Sequence, residues 1–343
     1  MNKPLLTEDV CIEAVAYELP PHRISSVKIE EEIAETMARL GLERGQLERL
    51  TGIRERRFWD PETQPSEVAT RAAEHVIERA GISADRIGCL INTSVCRDYI
   101  EPSTACLVHG NLGLGPECIN YDVGNACLGF VNAMSTITLM IEKGLMDYGL
   151  IVDGEGSRQV IEATLKRLGR PETTEKDFRE NFATLTLGSG AVAMILAHRK
   201  VSRSGHRING AVTRADTRYS RLCLGQPDRM VADPHRVLVH GVELALETWK
   251  DAQGSLPDWD DETIDLYVPH QVSQRNMEVL NRTLGLTPEK HHLNFSTLGN
   301  VGPAALPITL AQAEESGRLH AGSHIALMGI GSGLNCSMMS VSW

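Results

Sequence analysis

Four short runs of aliphatic and β-branched residues punctuate the chain, and each breaks off into a turn or a helix: IGCLINTSV (87–95), YGLIVDGEG (148–156), IDLYVPHQVS (264–273) and HIALMGIGSG (324–333). Near-continuous apolar runs of this length, without the alternation of a half-exposed strand, predict buried strands of the parallel type. Helical spacing fills the intervals. PSEVATRAAEHVIERAG (65–81) carries apolar positions three and four apart with Ser66 as its N-cap, and QRNMEVLNRTLG (274–285) is closed by Gly285. This alternation of strand and helix predicts an α/β fold.

The order of elements repeats. IGCLINTSV, a helix over 125–143 and YGLIVDGEG are followed later by IDLYVPHQVS, the helical PAALPITLAQAEESG and HIALMGIGSG, which predicts two similar halves, 1–200 and 201–343. No charged residue lies between Val123 and Ile141, so that helix is expected between layers and buried on most sides. Asn125, Asn132, Ser135, Thr136 and Thr138 argue against a membrane span. Cys127 stands where the helix begins, in DVGNACLGFVNAM (122–134). A thiol at the positive end of a helix dipole is expected to have a lowered pKa and to act as a nucleophile.

Charge and cysteine usage narrow the partners. With 42% apolar and 23% charged residues the chain is ordinary for a globular protein, but its net charge of -11 excludes nucleic acid as the main partner. The basic stretch from Arg199 to Arg236 fits either a solvated face or a seat for a phosphorylated ligand such as coenzyme A. The opening MNKPLLTEDVCIEAVAYELP lacks the basic end and apolar run of a secretory signal, so a cytoplasmic location is expected. Eight cysteines without a CxxC pair are expected as free thiols, outside any disulfide framework or metal site.

A thiolate that accepts an acyl group needs N–H donors for the oxyanion it creates. MGIGSGLNCS (328–337) offers them, because Gly331 and Gly333 let the main chain around Ser332 approach closely. VPHQVS puts His270 at a strand end and LGNVGPAA puts Asn300 in a glycine-bounded loop, and strand ends in α/β sheets converge on one crevice. Glu101, before Pro102 in SVCRDYIEPSTACLVHG (94–110), is either a solvated loop charge or, if buried near the thiol, a base that abstracts a proton. Arg97 and Asp98 suit structural pairing. The polar insert SRQVIEATLKRLGRPETTEKDFREN (157–181) reads equally as a pocket wall, a dimer surface or a solvated helix-loop.

Taken in order, NACLGF, VPHQVS, GNVGPA and GIGSGLN resemble the thiolase superfamily, in its ketoacyl synthase III-like branch, over essentially the whole chain. INTSVCRDYIEPSTA, LIVDGE and IALMGIGSGLNCSM make it most similar to the OleA family, which condenses acyl-CoAs head to head in bacterial long-chain olefin biosynthesis. The resemblance implies an α/β, thiolase-like αβαβα layered fold with two similar halves, and an obligate homodimer. It implies a non-decarboxylative Claisen condensation in which Cys127 takes the first acyl group while His270 and Asn300 hold the second thioester and steady its enolate. The N–H groups of Cys127 and Ser332 would form the other oxyanion hole. Glu101 would serve the partner's site as the base for the α-carbon. Coenzyme A thioesters are then the substrates, no metal or further cofactor is required, and downstream olefin-pathway enzymes are the additional partners.

One segment departs from the ketoacyl synthase III pattern. Before TGIRER (51–56) that family carries a tryptophan and an arginine that grip coenzyme A, whereas this chain has GQLERL, with Leu50 in the arginine's place. Arg54, Arg56, Arg214 and Arg218 are the substitute coenzyme A contacts expected. Two alternatives stay open: a ketoacyl synthase III-type condensation with a malonyl donor, and an acyl-binding subunit without chemistry of its own.

Overall fold

All four apolar runs form strands, and six more join them in one sheet. The computed structural model describes residues 3–343. The sheet strands are β1 (Leu5–Leu6), β2 (Val10–Glu18), β3 (Ile87–Asn92), β4 (Ile119–Asp122), β5 (Tyr148–Glu155), β6 (Gly190–His198), β7 (His206–Ala215), β8 (Leu266–Pro269), β9 (His324–Gly331) and β10 (Asn335–Ser342). Their order is β8-β9-β10-β7-β2-β6-β5-β3-β4, with β1 paired to β7. Parallel pairing joins β3 to β4 and β5, and β8 to β9, as the apolar runs predict. The sheet is nonetheless mixed, because β6 and β10 pair antiparallel on both of their sides.

Between β2 and β7 the pairing is confined to Cys11 with Arg207 and Ile12 with His206. This narrow seam divides the sheet into two leaves, β2-β6-β5-β3-β4 and β7-β10-β9-β8. The principal helices are α1 (Pro65–Ala80), α2 (Thr104–Asn111), α3 (Gly129–Glu142), α4 (Arg158–Leu168), α5 (Glu175–Asn181), α6 (Pro234–Gln253), α7 (Gln274–Leu284) and α8 (Ala305–Glu315). Ile91 and Ile151 of one leaf and Val268 and Leu327 of the other converge on Phe130, Ile137 and Ile308, so α3 and α8 form a middle layer between the leaves. Outside them, α1 and α2 cover the first leaf through Val76 and Val108, and α6 and α7 cover the second through Trp249 and Leu284. The result is the five-layered αβαβα arrangement. As its lack of charge predicts, α3 is buried along most of its length.

The capping of α1 differs from expectation. The helix starts at Pro65, and the Gln64 N–H donates to Glu67 Oε2 at 3.4 Å. Ser66 lies inside the first turn, where its hydroxyl donates to Asp98 Oδ1 at 2.6 Å, so the side chain is spent on a tertiary contact instead of the helix end. The 157–181 insert is not simply solvated. Its helices α4 and α5 bury Ile161, Leu168 and Phe178 in a second core with Ile33, Met37 and Phe58. Beside them, the Arg167 guanidinium donates to the Asp228 carbonyl at 2.7 Å and the Thr184 hydroxyl to the Met230 carbonyl at 2.8 Å, fastening a hairpin of strands Cys223–Gln226 and Arg229–Ala232. Among the described residues no helix is long and apolar enough to cross a membrane. All eight cysteines are free.

Candidate active site

Cys127 occupies a tight turn between β4 and α3. Leu128 N–H donates to the Asn125 carbonyl at 3.0 Å and Gly129 N–H to the Ala126 carbonyl at 3.1 Å, and Ala126 takes a φ of 46°, a conformation uncommon for a residue with a side chain. Two residues beyond the cysteine there is little room for a side chain: a Cβ on Gly129 would lie 3.1 Å from both the Thr93 and Val123 carbonyl oxygens. The turn therefore holds Cys127 just ahead of the helix. Its own N–H donates to no backbone carbonyl among the described residues, and its hydrogen bond goes to the residue's own sulfur.

The thiol itself overturns the expected lowering of its pKa. Burial pushes it up to about 12, with Cys223, Glu155 and Asp153 adding to the rise against a single backbone hydrogen bond. The helix N-terminus contributes a fraction of a charge, whereas desolvation and two neighbouring carboxyl groups act directly on the sulfur. The resting nucleophile is a thiol.

A glycine turn presses against this one. A Cβ on Gly331 would lie 3.1 Å from both the Asn125 carbonyl oxygen and the Leu128 nitrogen, so the glycine lets the end of β9 pack closely on this turn. Asn335 Nδ2 donates to Asn125 Oδ1 at 3.1 Å, and Asn125 Nδ2 in turn donates to Asn132 Oδ1 at 2.7 Å. These contacts lock the Ser332 turn to the nucleophile turn. The Ser332 N–H, like that of Cys127, donates to no backbone carbonyl among the described residues.

His270 follows β8 directly and is tied to β9 by its own N–H, which donates to the Met328 carbonyl at 2.8 Å. Its ring is buried with Nδ1 unpartnered, and burial holds its pKa down to about 4, so the imidazole is neutral near pH 7. Asn300 lies ahead of α8. Its backbone pairs with Thr186 and Gly188, and its Oδ1 accepts from Gly302 N–H at 3.0 Å, which leaves the amide Nδ2 as the available donor. Cys127, Ser332 and His270 thus stand at strand ends and turns of the two leaves, and Asn300 at the head of a middle-layer helix.

Two acids that sequence reasoning gave no role belong to this neighbourhood. Asp153 and Glu155 are buried on the face of β5 that looks toward the middle layer. Each is raised above the ordinary carboxylate range, first by burial and, for Asp153, by the charge of Glu155. Thr93 Oγ1 donates to Asp153 Oδ2 at 2.5 Å, and Asp153 Oδ1 is left without a partner. A Cβ on Gly302 would lie 3.5 Å from Glu155 Cδ, which puts this carboxylate beside the Asn300 loop. The legible signal was in LIVDGE: two acids at alternate positions of an apolar run share one face of a strand.

Other predicted residues lie elsewhere. Glu101 is exposed on the loop between β3 and α2, beside Ile100, which is 97% exposed. Arg56 cannot contact coenzyme A: it is fully buried, with its guanidinium donating to Ser26 Oγ at 3.1 Å and to the Leu185 carbonyl at 2.9 Å. Arg214 is bound by Asp251, and Arg218 donates to Asp216 at 2.8 and 2.6 Å, so each is paired with a neighbouring carboxylate. Arg54 is exposed, and its N–H donates to the Ser296 carbonyl at 2.9 Å, four residues before Asn300. The basic stretch is no single patch. Arg207 and Arg214 lie toward opposite ends of β7, about 24 Å apart at ~3.4 Å per residue.

Family models described as 3-oxoacyl-[acyl-carrier-protein (ACP)] synthase III and 3-oxoacyl-[acyl-carrier-protein (ACP)] synthase III C terminal match residues 121–217 and 257–343. The chain is 44% identical over 339 residues to an acyl-CoA:acyl-CoA alkyltransferase of Xanthomonas campestris pv. campestris, covering 99% of this chain and 100% of that one. The crystal structure of Xanthomonas campestris OleA with bound cerulenin superposes with a TM-score of 0.97 at 44% identity, over 98% of each chain. A cysteine-to-serine variant of that protein, with bound lauric acid and lauroyl-CoA, gives a TM-score of 0.96 at 44% identity, over 98% of this chain and 99% of that one.

Proposed function

The chain belongs to the acyl-CoA:acyl-CoA alkyltransferase family of ketoacyl synthase III-like condensing enzymes, and from that premise we propose that it joins two fatty acyl-CoAs by a non-decarboxylative Claisen condensation serving long-chain olefin formation. Cys127 attacks the first thioester, and its proton leaves with the departing coenzyme A thiol. The Cys127 and Ser332 N–H groups hold the oxyanion. A second acyl-CoA enters with its carbonyl against His270 and Asn300 Nδ2, which steady the enolate formed when Glu101 of a partner subunit removes the α-proton. The α-carbon attacks the acyl-Cys127 carbonyl, the sulfur leaves and regains a proton, and hydrolysis of the remaining thioester by water gives a 2-alkyl-3-oxo acid and coenzyme A.

The observation that supports this chemistry is the interlock of Gly331 against the Asn125–Leu128 turn, which packs the Ser332 turn against the Cys127 turn. A homodimer is part of the proposal. Glu101 is exposed beside Val95, Tyr99 and Ile100, a run of apolar side chains facing solvent, and β4 is an edge strand with Ile119 uncovered. Arg54 is the coenzyme A contact retained from the sequence. The test is intact-protein mass after incubation with lauroyl-CoA and no malonyl donor, followed by product extraction. Acylation at Cys127 with a two-chain product is expected, and Glu101→Ala is expected to acylate without condensing. Acylation that stalls until a malonyl thioester is added would instead assign a decarboxylating synthase, and no acylation would leave only acyl binding.

A further inference from the structure

Glu155 is a buried carboxylate that the chemistry above does not use, and no lysine or arginine pairs with it. Its oxygens are taken instead by backbone donors. Val95 N–H donates to Oε1 at 2.5 Å and Cys96 N–H to Oε2 at 3.4 Å. Both donors belong to the loop that carries Glu101. That loop is fixed at its root by Thr93 N–H to the Val152 carbonyl at 2.9 Å and by Gly154 N–H to Ser94 Oγ at 2.7 Å, and further on by Asp98, which accepts from Ser66. Glu155 supplies the hold between these points. Beyond Asp98 the chain from Tyr99 to Pro102 is exposed, so its direction is decided by the anchors before it.

We propose that Glu155 is a positioning residue for the condensation step: by gripping the Val95 and Cys96 amides it sets the course of the loop that presents Glu101 to the neighbouring subunit. The inference rests on the assignment of Glu101 as the base acting across a dimer. A carboxylate suits the task because it accepts from two adjacent N–H groups at once, whereas a glutamine offers one acceptor and turns its own N–H₂ against the second donor. An uncompensated acid in a dry interior is costly, and such costs concentrate where function needs them. The same side chain borders Gly302 in the Asn300 loop, so a single carboxylate touches the loop of its own site and the loop that serves the other.

The proposal separates the two half-reactions. In the full-length enzyme Glu155→Gln is expected to acylate Cys127 from lauroyl-CoA within about threefold of the wild-type rate while condensation falls by at least about tenfold. Hydrogen exchange of the 94–102 segment should quicken in this variant while the strands of the first leaf stay protected. Condensation within about threefold of wild type, or unchanged exchange in 94–102, would overturn the proposal. So would equal loss of acylation and condensation with a lowered melting temperature, the mark of a merely structural role. If Glu155→Gln does not fold, Glu155→Asp, which keeps the charge and shortens its reach, takes the same measurements. Glu101→Ala is run beside it, and condensation by that variant would overturn the base assignment itself, separately from the exchange result.

Discussion

At the scale of single residues the site holds its reactive groups in neutral form. Burial leaves Cys127 a thiol and His270 an uncharged imidazole, and it raises Asp153 and Glu155 above the ordinary carboxylate range. Charge is generated only when substrate arrives, which suits a reaction whose intermediates are an oxyanion and an enolate. Iodoacetamide reports the resting state of the thiol. Alkylation of Cys127 is expected to be slow at pH 7 compared with the exposed Cys106, and to rise with pH through about 9 without levelling. A plateau between about pH 5 and 7 would show instead that the helix start governs the sulfur. The sequence revealed which cysteine stands at a helix start, because small residues and an uncharged run mark that junction. It did not reveal the surrounding acids, since LIVDGE reads as an ordinary buried strand until the fold shows what lies beside its end.

At the scale of elements the insert does the work of a clamp. Helices α4 and α5 appear polar because only one face of each is apolar, and that face meets residues 29–58, far off in sequence, which local spacing cannot foresee. The clamp fastens the 223–232 hairpin whose Cys223 neighbours the nucleophile. Phe178→Ala empties part of this second core and is expected to cost about 3 kcal/mol in a urea titration. Alkylation of Cys127 should quicken in the same variant, since a loosened hairpin admits reagent; an unchanged rate would mean that the hairpin does not shield the thiol. Strands and helices were legible where one face or one run is uniformly apolar. Ser66 was misread because its hydroxyl serves a tertiary partner, and Arg56 because a buried arginine held by Ser26 and the Leu185 carbonyl looks, in sequence, like any surface cation.

At the scale of the whole molecule, buried titrating groups pull stability in opposite directions over one pH range. His291, like His270, is held down to about 4 by burial, from an ordinary 6.5, so the unfolded chain takes up a proton that the folded one refuses. Stability from each histidine is therefore complete above about 6.5 and is lost as pH falls through 4. Glu155, pushed up from 4.5 to about 7, has the reverse sign: its contribution is complete below 4.5 and is lost as pH rises through 7. Between about pH 4.5 and 6.5 the two slopes offset each other. Replacing His291 exposes the balance. His291→Phe is expected to remove about 3 kcal/mol of acid sensitivity between pH 6.5 and 4, read as the difference between the two proteins' urea-unfolding free energies at each pH.

The candidate site is also divided along the chain. Cys127 and Glu155 come before the narrow β2–β7 seam, while His270, Asn300 and Ser332 come after it. What closes over the sulfur is the late portion, through Gly331 and the Cys223 hairpin. Cys127 is thus a built-in clock for assembly: during refolding its reagent accessibility marks the moment at which the later portion docks. A chain still emerging from the ribosome lacks the Gly331 turn and the Cys223 hairpin that border the half-buried thiol, and that brief interval is when a small electrophile would find it most readily.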